Sequence, residues 1–188
     1  MDDLQRHPPS RDSAVAFVYC NYKERLQQTF QNLVSSLIRQ IIQAHTIPDR
    51  LRELHQRHIK HSTRPTRSEL LELFATITSQ FSSVWIVVDA LDESSEVDGT
   101  RSSLKSDLYT AIPNAKFLFT SRRLNDIERQ FHGFPSLEIR ASDRDIVLYL
   151  SGQLENETRL TKHIKADDSL RTLILDTVVR RSDGMSVC

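Results

Sequence analysis

One run of five apolar residues, VWIVV at positions 84–88, does most to limit what this chain can fold into. The run does not alternate between apolar and polar residues, so the strand that it predicts must be covered on both faces. Strands of that kind are typical of parallel sheets with helices packed on them. The acidic string DALDE, residues 89–93, follows directly. The sequence therefore predicts a buried strand with carboxylates at its C-terminal end.

Strand and helix patterns alternate along most of the chain. The apolar, β-rich segment 14–20 predicts a strand, and apolar residues at helical spacing predict a helix over 29–45. Two more strands are predicted at 117–119 and 137–139. Further helices are predicted at about 48–60, 66–77, 101–111, 126–131, 142–154 and 170–178. This order predicts an α/β fold, a parallel sheet flanked by helices.

The pattern also divides the chain into three parts. Residues 1–12 are polar and contain Pro8 and Pro9, and we expect them to be disordered. Residues 13–141 carry all the predicted strands and form the α/β domain. Residues 142–188 are predicted to be a helical C-terminal part of the same domain.

The charge balance excludes several classes of partner. Lys and Arg number 25, as do Asp and Glu, so the net charge is zero. Nucleic acids and anionic membranes both require a basic surface, and neither is an expected partner. No apolar stretch is long enough to span a bilayer, and the N-terminus lacks the apolar core of a secretory signal. Two distant cysteines, Cys20 and Cys188, indicate free thiols in a reducing compartment, so we expect an intracellular, cytoplasmic location.

Polar groups follow two of the predicted strands, and ligands of parallel sheets bind at that edge. An Asp at the end of a rigid strand, here Asp89, can hold Mg²⁺. A second carboxylate, Asp92 or Glu93, can orient an attacking water, and an arginine such as Arg122 can contact a phosphate. The alternative is a solvated acidic turn after an ordinary strand, and spacing alone leaves both readings open.

Longer segments add a family resemblance. VWIVVDALDES resembles the Walker B segment of NACHT-type STAND nucleotide-binding domains, in particular the nephrocystin-like N-terminal family of fungi. FLFTSRR resembles the sensor 1 strand of that family. AFVYCNYKE, SLEIRASDRDIVLYL and the closing DGM are similar to further segments in the same order. The resemblance covers roughly residues 15–185.

The resemblance implies a P-loop NTPase fold that works as an ATP- or GTP-driven switch within larger multidomain, repeat-containing proteins. It implies Mg²⁺ and a nucleotide as cofactors and no other small-molecule substrate. By position, Asp89 would be the Mg²⁺ ligand and Asp92 or Glu93 would serve the water. Arg122 would be the phosphate sensor, and Arg123 has a weaker claim.

The glycines of the chain depart from the family pattern. The family carries a Walker A loop, G-x-x-x-x-G-K-[ST], whose backbone cradles the phosphates. Only four glycines occur here, all far apart, and segment 99–106 has Leu104 where the second glycine of the loop belongs. We therefore expect an incomplete sheet that lacks its central P-loop strand, marginal stability, and no hydrolysis by this chain alone. Both ends look cut.

Three interpretations of function stay open at this point. The chain is a partial nucleotide switch domain, or a non-enzymatic interaction module that associates with intact NACHT-family chains, or a product without independent function. ATP and GTP are not distinguished by the sequence.

Overall fold

The computed structural model describes residues 12–43, 47–157, 162–164 and 167–182. The chain separates into two compact units, Met1–His132 and Gly133–Cys188. The first unit contains the sheet and the acidic segment. Two predictions lie outside the described residues: disorder in nearly all of segment 1–12 and a free thiol at Cys188.

Three parallel strands form the sheet in the order β1-β2-β3. They are β1 (Ser13–Tyr19), β2 (Ser83–Asp89) and β3 (Ala115–Phe119). The strand with the continuous apolar run, β2, lies in the centre, with Val18 of β1 on one side of Val88 and Phe119 of β3 on the other. The predicted α/β fold with a parallel sheet is confirmed.

Helices follow the predicted order closely. Those of the first unit are α1 (Phe30–Ile42), α2 (Asp49–His61), α3 (Arg67–Thr78), α4 (Thr100–Ala111) and α5 (Asn125–Gln130), and those of the second are α6 (Asp143–Asn156) and α7 (Asp168–Ser182). A capping box between Thr66 and Glu69 starts α3, since the Thr66 side chain accepts from the Glu69 backbone and the Glu69 carboxylate accepts in return. None of the described helices is long and apolar enough to cross a membrane.

The core of the first unit lies between one face of the sheet and three helices. Ala16 and Ile86 on that face are fully buried, as are Leu37 of α1, Phe74 of α3 and Leu104 of α4. Burying a large apolar side chain contributes roughly 1.5–3 kcal/mol. This packing fixes the sheet and with it the C-terminal ends of its strands.

Two glutamine side chains close the outer edge of β1. The amide of Gln40 accepts a hydrogen bond from the Phe17 backbone N–H at 3.0 Å and donates to the Phe17 carbonyl at 2.7 Å. Gln28 donates to the Tyr19 carbonyl and accepts from the Asn21 N–H, both at 2.8 Å. Each amide therefore takes the place of a neighbouring strand's peptide group, which protects this edge from pairing with another chain.

The outer edge of β3 has no such cover in the described part of the chain. The Thr120 N–H donates to the Val88 carbonyl at 3.0 Å. Because backbone groups alternate in direction along a strand, the N–H and C=O groups of Phe117 and Phe119 point away from β2. No strand among the described residues pairs with that edge. Leu118, between them, is 56% exposed.

The predicted strand at 137–139 is wrong. Residues 135–140 have no regular secondary structure, and the side chains of Leu137 and Ile139 are 84% and 70% exposed. A strand forms only by pairing with a neighbouring strand, and this short segment after Pro135 is not one of the three strands of the described sheet. Alternation over three residues was too short a pattern to settle the point.

Candidate functional site

Thr120 ties the C-terminal ends of β2 and β3 together. Its hydroxyl donates a short hydrogen bond to Oδ1 of Asp89 and accepts one from the Ala90 N–H at 2.9 Å. Its carbonyl accepts from the Leu91 N–H at 2.8 Å. Asp89 is therefore held at the C-terminal end of β2, as its position directly after the apolar run predicts. Its second carboxylate oxygen has no partner among the described residues.

The backbone turns sharply after Asp89. Ala90 has φ +53° and ψ +47°, a left-handed conformation that costs a residue with a Cβ roughly 1–2 kcal/mol. The chain then enters a single 3₁₀ turn, Leu91–Glu93, in which Leu91 and Asp92 are buried. The turn thus places the two acidic side chains, Asp92 and Glu93, beside the strand ends instead of extending them into solvent.

Asp92 binds Arg122 through both of its carboxylate oxygens. The Arg122 N–H donates to Oδ1 at 3.0 Å, and Nε of the same residue donates to Oδ2 at 2.6 Å. Burial pushes the pKa of Asp92 upward, but the hydrogen bonds and charge of Arg122 outweigh it and hold that pKa below its ordinary value. The Asp92 side chain is 3% exposed and the Arg122 side chain 77%. The two Nη groups of Arg122 are therefore accessible.

Glu93 faces the other neighbour of β2. Its Oε2 accepts from the backbone N–H of Tyr22, in the loop after β1, at 3.2 Å. Its carbonyl accepts from Nε of Arg25 at 3.0 Å. The second carboxylate oxygen of Glu93 has no hydrogen-bond partner in the described part of the chain. The acidic pair therefore diverges, with Asp92 toward β3 and Glu93 toward β1.

Arg101 holds the acidic turn through hydrogen bonds to its backbone carbonyls. The sequence did not predict this role. Its buried guanidinium donates from Nη2 to the carbonyls of Asp92 at 2.9 Å and Ser94 at 3.1 Å, and from Nη1 to the Asp126 carboxylate at 2.7 Å. Burial raises the pKa of Asp126, but its hydrogen bonds and the charge of Arg101 leave that pKa below its ordinary value. In the sequence, Arg101 looks like any charged residue at a helix start, and no local signal marks it.

Cys20 lies buried next to the same site, and its backbone N–H donates to the Asp89 carbonyl at 2.9 Å. Burial, followed by the negative charges of Asp89, Asp92 and Glu93, raises the pKa of this thiol to about 12. The thiol is therefore neutral and unreactive at neutral pH. The predicted free thiol at this position is consistent with the structure.

Arg123 turns away from the acidic residues. Its Nε lies 2.5 Å from Oε1 of Glu128 on α5. Of the two arginines after β3, the structure thus brings only Arg122 to Asp92. The four residues singled out in the sequence, which are Asp89, Asp92, Glu93 and Arg122, all lie at the C-terminal ends of β2 and β3.

The side chains present fit part of a magnesium–nucleotide site. Within the described ranges, no group of three His, Cys, Asp or Glu residues is placed to hold a metal ion by itself. Mg²⁺ bound with a nucleotide uses one or two carboxylates and takes its remaining ligands from phosphates and water. Asp89, with one free oxygen, suits that mode. The sequence contains no glycine-rich loop that would hold the phosphates.

The fold and this site define a mixed α/β protein with acidic and basic side chains gathered at the C-terminal ends of parallel strands. The model of the Nephrocystin 3, N-terminal family matches residues 1–122, which is 122 of 188 residues. The chain belongs to this family. No curated protein and no solved structure matches this chain.

Proposed function

We propose that this chain is the metal-binding part of a NACHT-type STAND switch domain of the fungal kind. The chain binds Mg²⁺ together with ATP or GTP weakly, and it does not hydrolyse the nucleotide alone. One observation carries the proposal. Asp89 is fixed by Thr120 at the end of the central strand, next to a buried carboxylate that holds an exposed arginine.

The contacts support different tasks for the side chains. Asp89 offers its free oxygen to Mg²⁺. Asp92 uses both oxygens on Arg122, so Glu93 is the better candidate to orient a water. Within its guanidinium, Arg122 contacts Asp92 through Nε, which leaves the Nη groups for a phosphate oxygen. Asp92 would then position the arginine that contacts the nucleotide.

Weak binding without hydrolysis follows from the missing phosphate cradle. A Walker A loop supplies backbone N–H groups and a lysine that neutralise the β- and γ-phosphates. None of the four glycines here lies in such a loop. The open edge of β3 supports the proposal further, because the resemblance implies one more strand within this sheet.

Calorimetric titration of the chain with ATP and GTP, with and without Mg²⁺, tests the proposal. We expect weak binding that requires Mg²⁺ and is lost in Asp89→Asn. Glu72→Gln is the matched control, since it removes the same charge from the exposed face of α3 and should leave binding unchanged. Binding that is absent, or equal in the two variants, would overturn the proposal.

The open edge of β3 also favours a second candidate, a non-enzymatic interaction module. Backbone groups of Phe117 and Phe119 face outward beside the exposed Leu118, which suits pairing with a strand of an intact relative. Sedimentation of the chain with such a relative should show a complex that Leu118→Lys weakens. Leu26→Lys, at a position that is 96% exposed, should not weaken it.

A further inference from the structure

A cleft of about 490 Å³ lies between α1, α2 and α3, away from the strand ends. Leu54 is the one buried residue of α2. The C-terminal end of that helix is anchored instead by His58, whose Nδ1 is hydrogen-bonded to the Thr63 hydroxyl at 2.7 Å and whose Nε2 lies 3.2 Å from Oε2 of Glu69. This anchor keeps α2 beside α3 while a gap remains between the three helices.

Apolar side chains form most of the wall of the cleft. The buried ones are Ile38, Leu54, Leu70 and Leu73. Polar side chains lie on the exposed part of the wall, where Ser35 and Arg39 are one turn apart on α1 and His55 faces them from α2. These two parts give the cleft an apolar interior and a polar mouth.

The charge at the mouth has one sign. None of the lining residues is an Asp or Glu among those that the structure describes, and Arg39 has no ion pair there. Nε2 of His58 lies 3.2 Å from Oε2 of Glu69, without the geometry of a hydrogen bond. Arg39 is therefore a cation beside apolar surface, with no carboxylate of the described chain to neutralise it.

We propose that this cleft binds an aliphatic carboxylate, with the alkyl chain between the helices and the carboxylate at Arg39. The cleft falls within the roughly 300–1,000 Å³ typical of small-ligand sites. Two turns of a helix about 10 Å wide would fill roughly 850 Å³, so the cleft suits a flexible alkyl chain and not a partner helix. This site is independent of the proposed nucleotide site.

Titration of the full chain with dodecanoate, below its micellar concentration, tests the inference. Each methylene removed, as in a series down to octanoate, should weaken binding about fourfold, because the interior is apolar. Arg39→Gln should weaken dodecanoate binding roughly two- to fivefold and leave binding of dodecan-1-ol unchanged. Absence of dodecanoate binding to the folded chain, or equal binding of the acid and the alcohol to the unaltered chain, would overturn the inference.

A steric variant locates the ligand. Ser35→Trp should weaken dodecanoate binding roughly tenfold or more, because the indole fills the mouth of the cleft. Gln31→Trp, one turn earlier on α1 at an exposed position outside the cleft, is the control and should bind normally. Should Ser35→Trp fail to fold, a diazirine-bearing dodecanoate should label peptides from α1, α2 or α3 of the unaltered chain. Labelling confined to other segments contradicts the inference.

Discussion

Arg122 is bound to Asp92 twice, once through its backbone N–H and once through Nε, so a side chain after β2 fixes both the main chain and the side chain of a residue after β3. The carboxylate is buried while the guanidinium is exposed. The pair therefore joins two strand ends and presents a positive charge to solvent at the same time.

Loss of the Asp92 carboxylate should destabilise the first unit. Asp92→Ala leaves the Arg122 N–H without its acceptor, and we expect the free energy of unfolding to fall by about 1–3 kcal/mol. Urea denaturation followed by circular dichroism measures the change. Glu128→Ala is the control, because it removes a carboxylate from the exposed pair with Arg123 and should have a much smaller effect. An equal fall in the free energy of unfolding in the two variants would show that the Asp92–Arg122 pair stabilises the fold no more than an exposed ion pair does.

The same pair predicts a pH dependence. The pKa of Asp92 in the folded chain lies below its ordinary value of 3.8, so the carboxylate stabilises the fold fully above that pH. This contribution is lost as the pH falls through the lowered pKa. The difference in unfolding free energy between the unaltered chain and Asp92→Asn should therefore be constant near neutrality and shrink only below about pH 4. A difference that shrinks above pH 5 would contradict this assignment.

Local sequence patterns were sufficient to predict most of the strands and helices of the fold. The run at 84–88 predicted a buried strand because it is apolar on both faces, and apolar residues at helical spacing predicted the helix that begins at Phe30. The approach of Arg122 to Asp92 followed from a general property of parallel sheets, not from a contact visible in the sequence. Periodicity and capping are encoded within a few residues, which is why they can be read directly.

Contacts between distant residues could not be predicted in this way. Gln40 and Phe17 are 23 residues apart, and Arg101 and Asp126 are 25 apart. Nothing near either residue shows that its polar side chain will be used to satisfy a strand edge or a buried turn. The prediction of a strand at 137–139 failed for the opposite reason. Its local pattern suggested a strand, whereas a pairing partner had to come from a distant part of the chain.

The cap on β1 predicts a change in association as well as in stability. Gln40→Leu removes both hydrogen bonds to Phe17 and uncovers the strand edge, and we expect a loss of about 1 kcal/mol together with self-association. Denaturation and light scattering measure the two effects. Gln31→Leu, at an exposed position on the same helix, should show neither. A Gln40→Leu chain as monomeric as the unaltered chain would count against the protective role of the amide.

Arg101 should control the rigidity of the acidic turn. Arg101→Leu leaves the carbonyls of Asp92 and Ser94 without their donor, at a cost of about 1–3 kcal/mol for each buried group left unpaired. Hydrogen exchange followed by mass spectrometry should show faster exchange in the peptide that covers residues 89–95. Arg129→Leu is the control, because the Arg129 guanidinium donates to the Asn125 carbonyl within α5 and to nothing in the acidic turn. Unchanged exchange in the turn would show that Arg101 does not hold it.

The most direct test of the nucleotide proposal is the position of the metal. Fe²⁺ in place of Mg²⁺, with ATP, hydrogen peroxide and ascorbate present, reduces the peroxide to hydroxyl radicals that cut the backbone next to the bound ion, and ascorbate regenerates the Fe²⁺. We expect cuts within residues 89–93 and 120–122, and we expect Asp89→Asn to abolish them while Glu72→Gln does not. Cuts confined to other segments, or cuts at the strand ends that persist in Asp89→Asn, would contradict the assignment of Asp89 as the metal ligand.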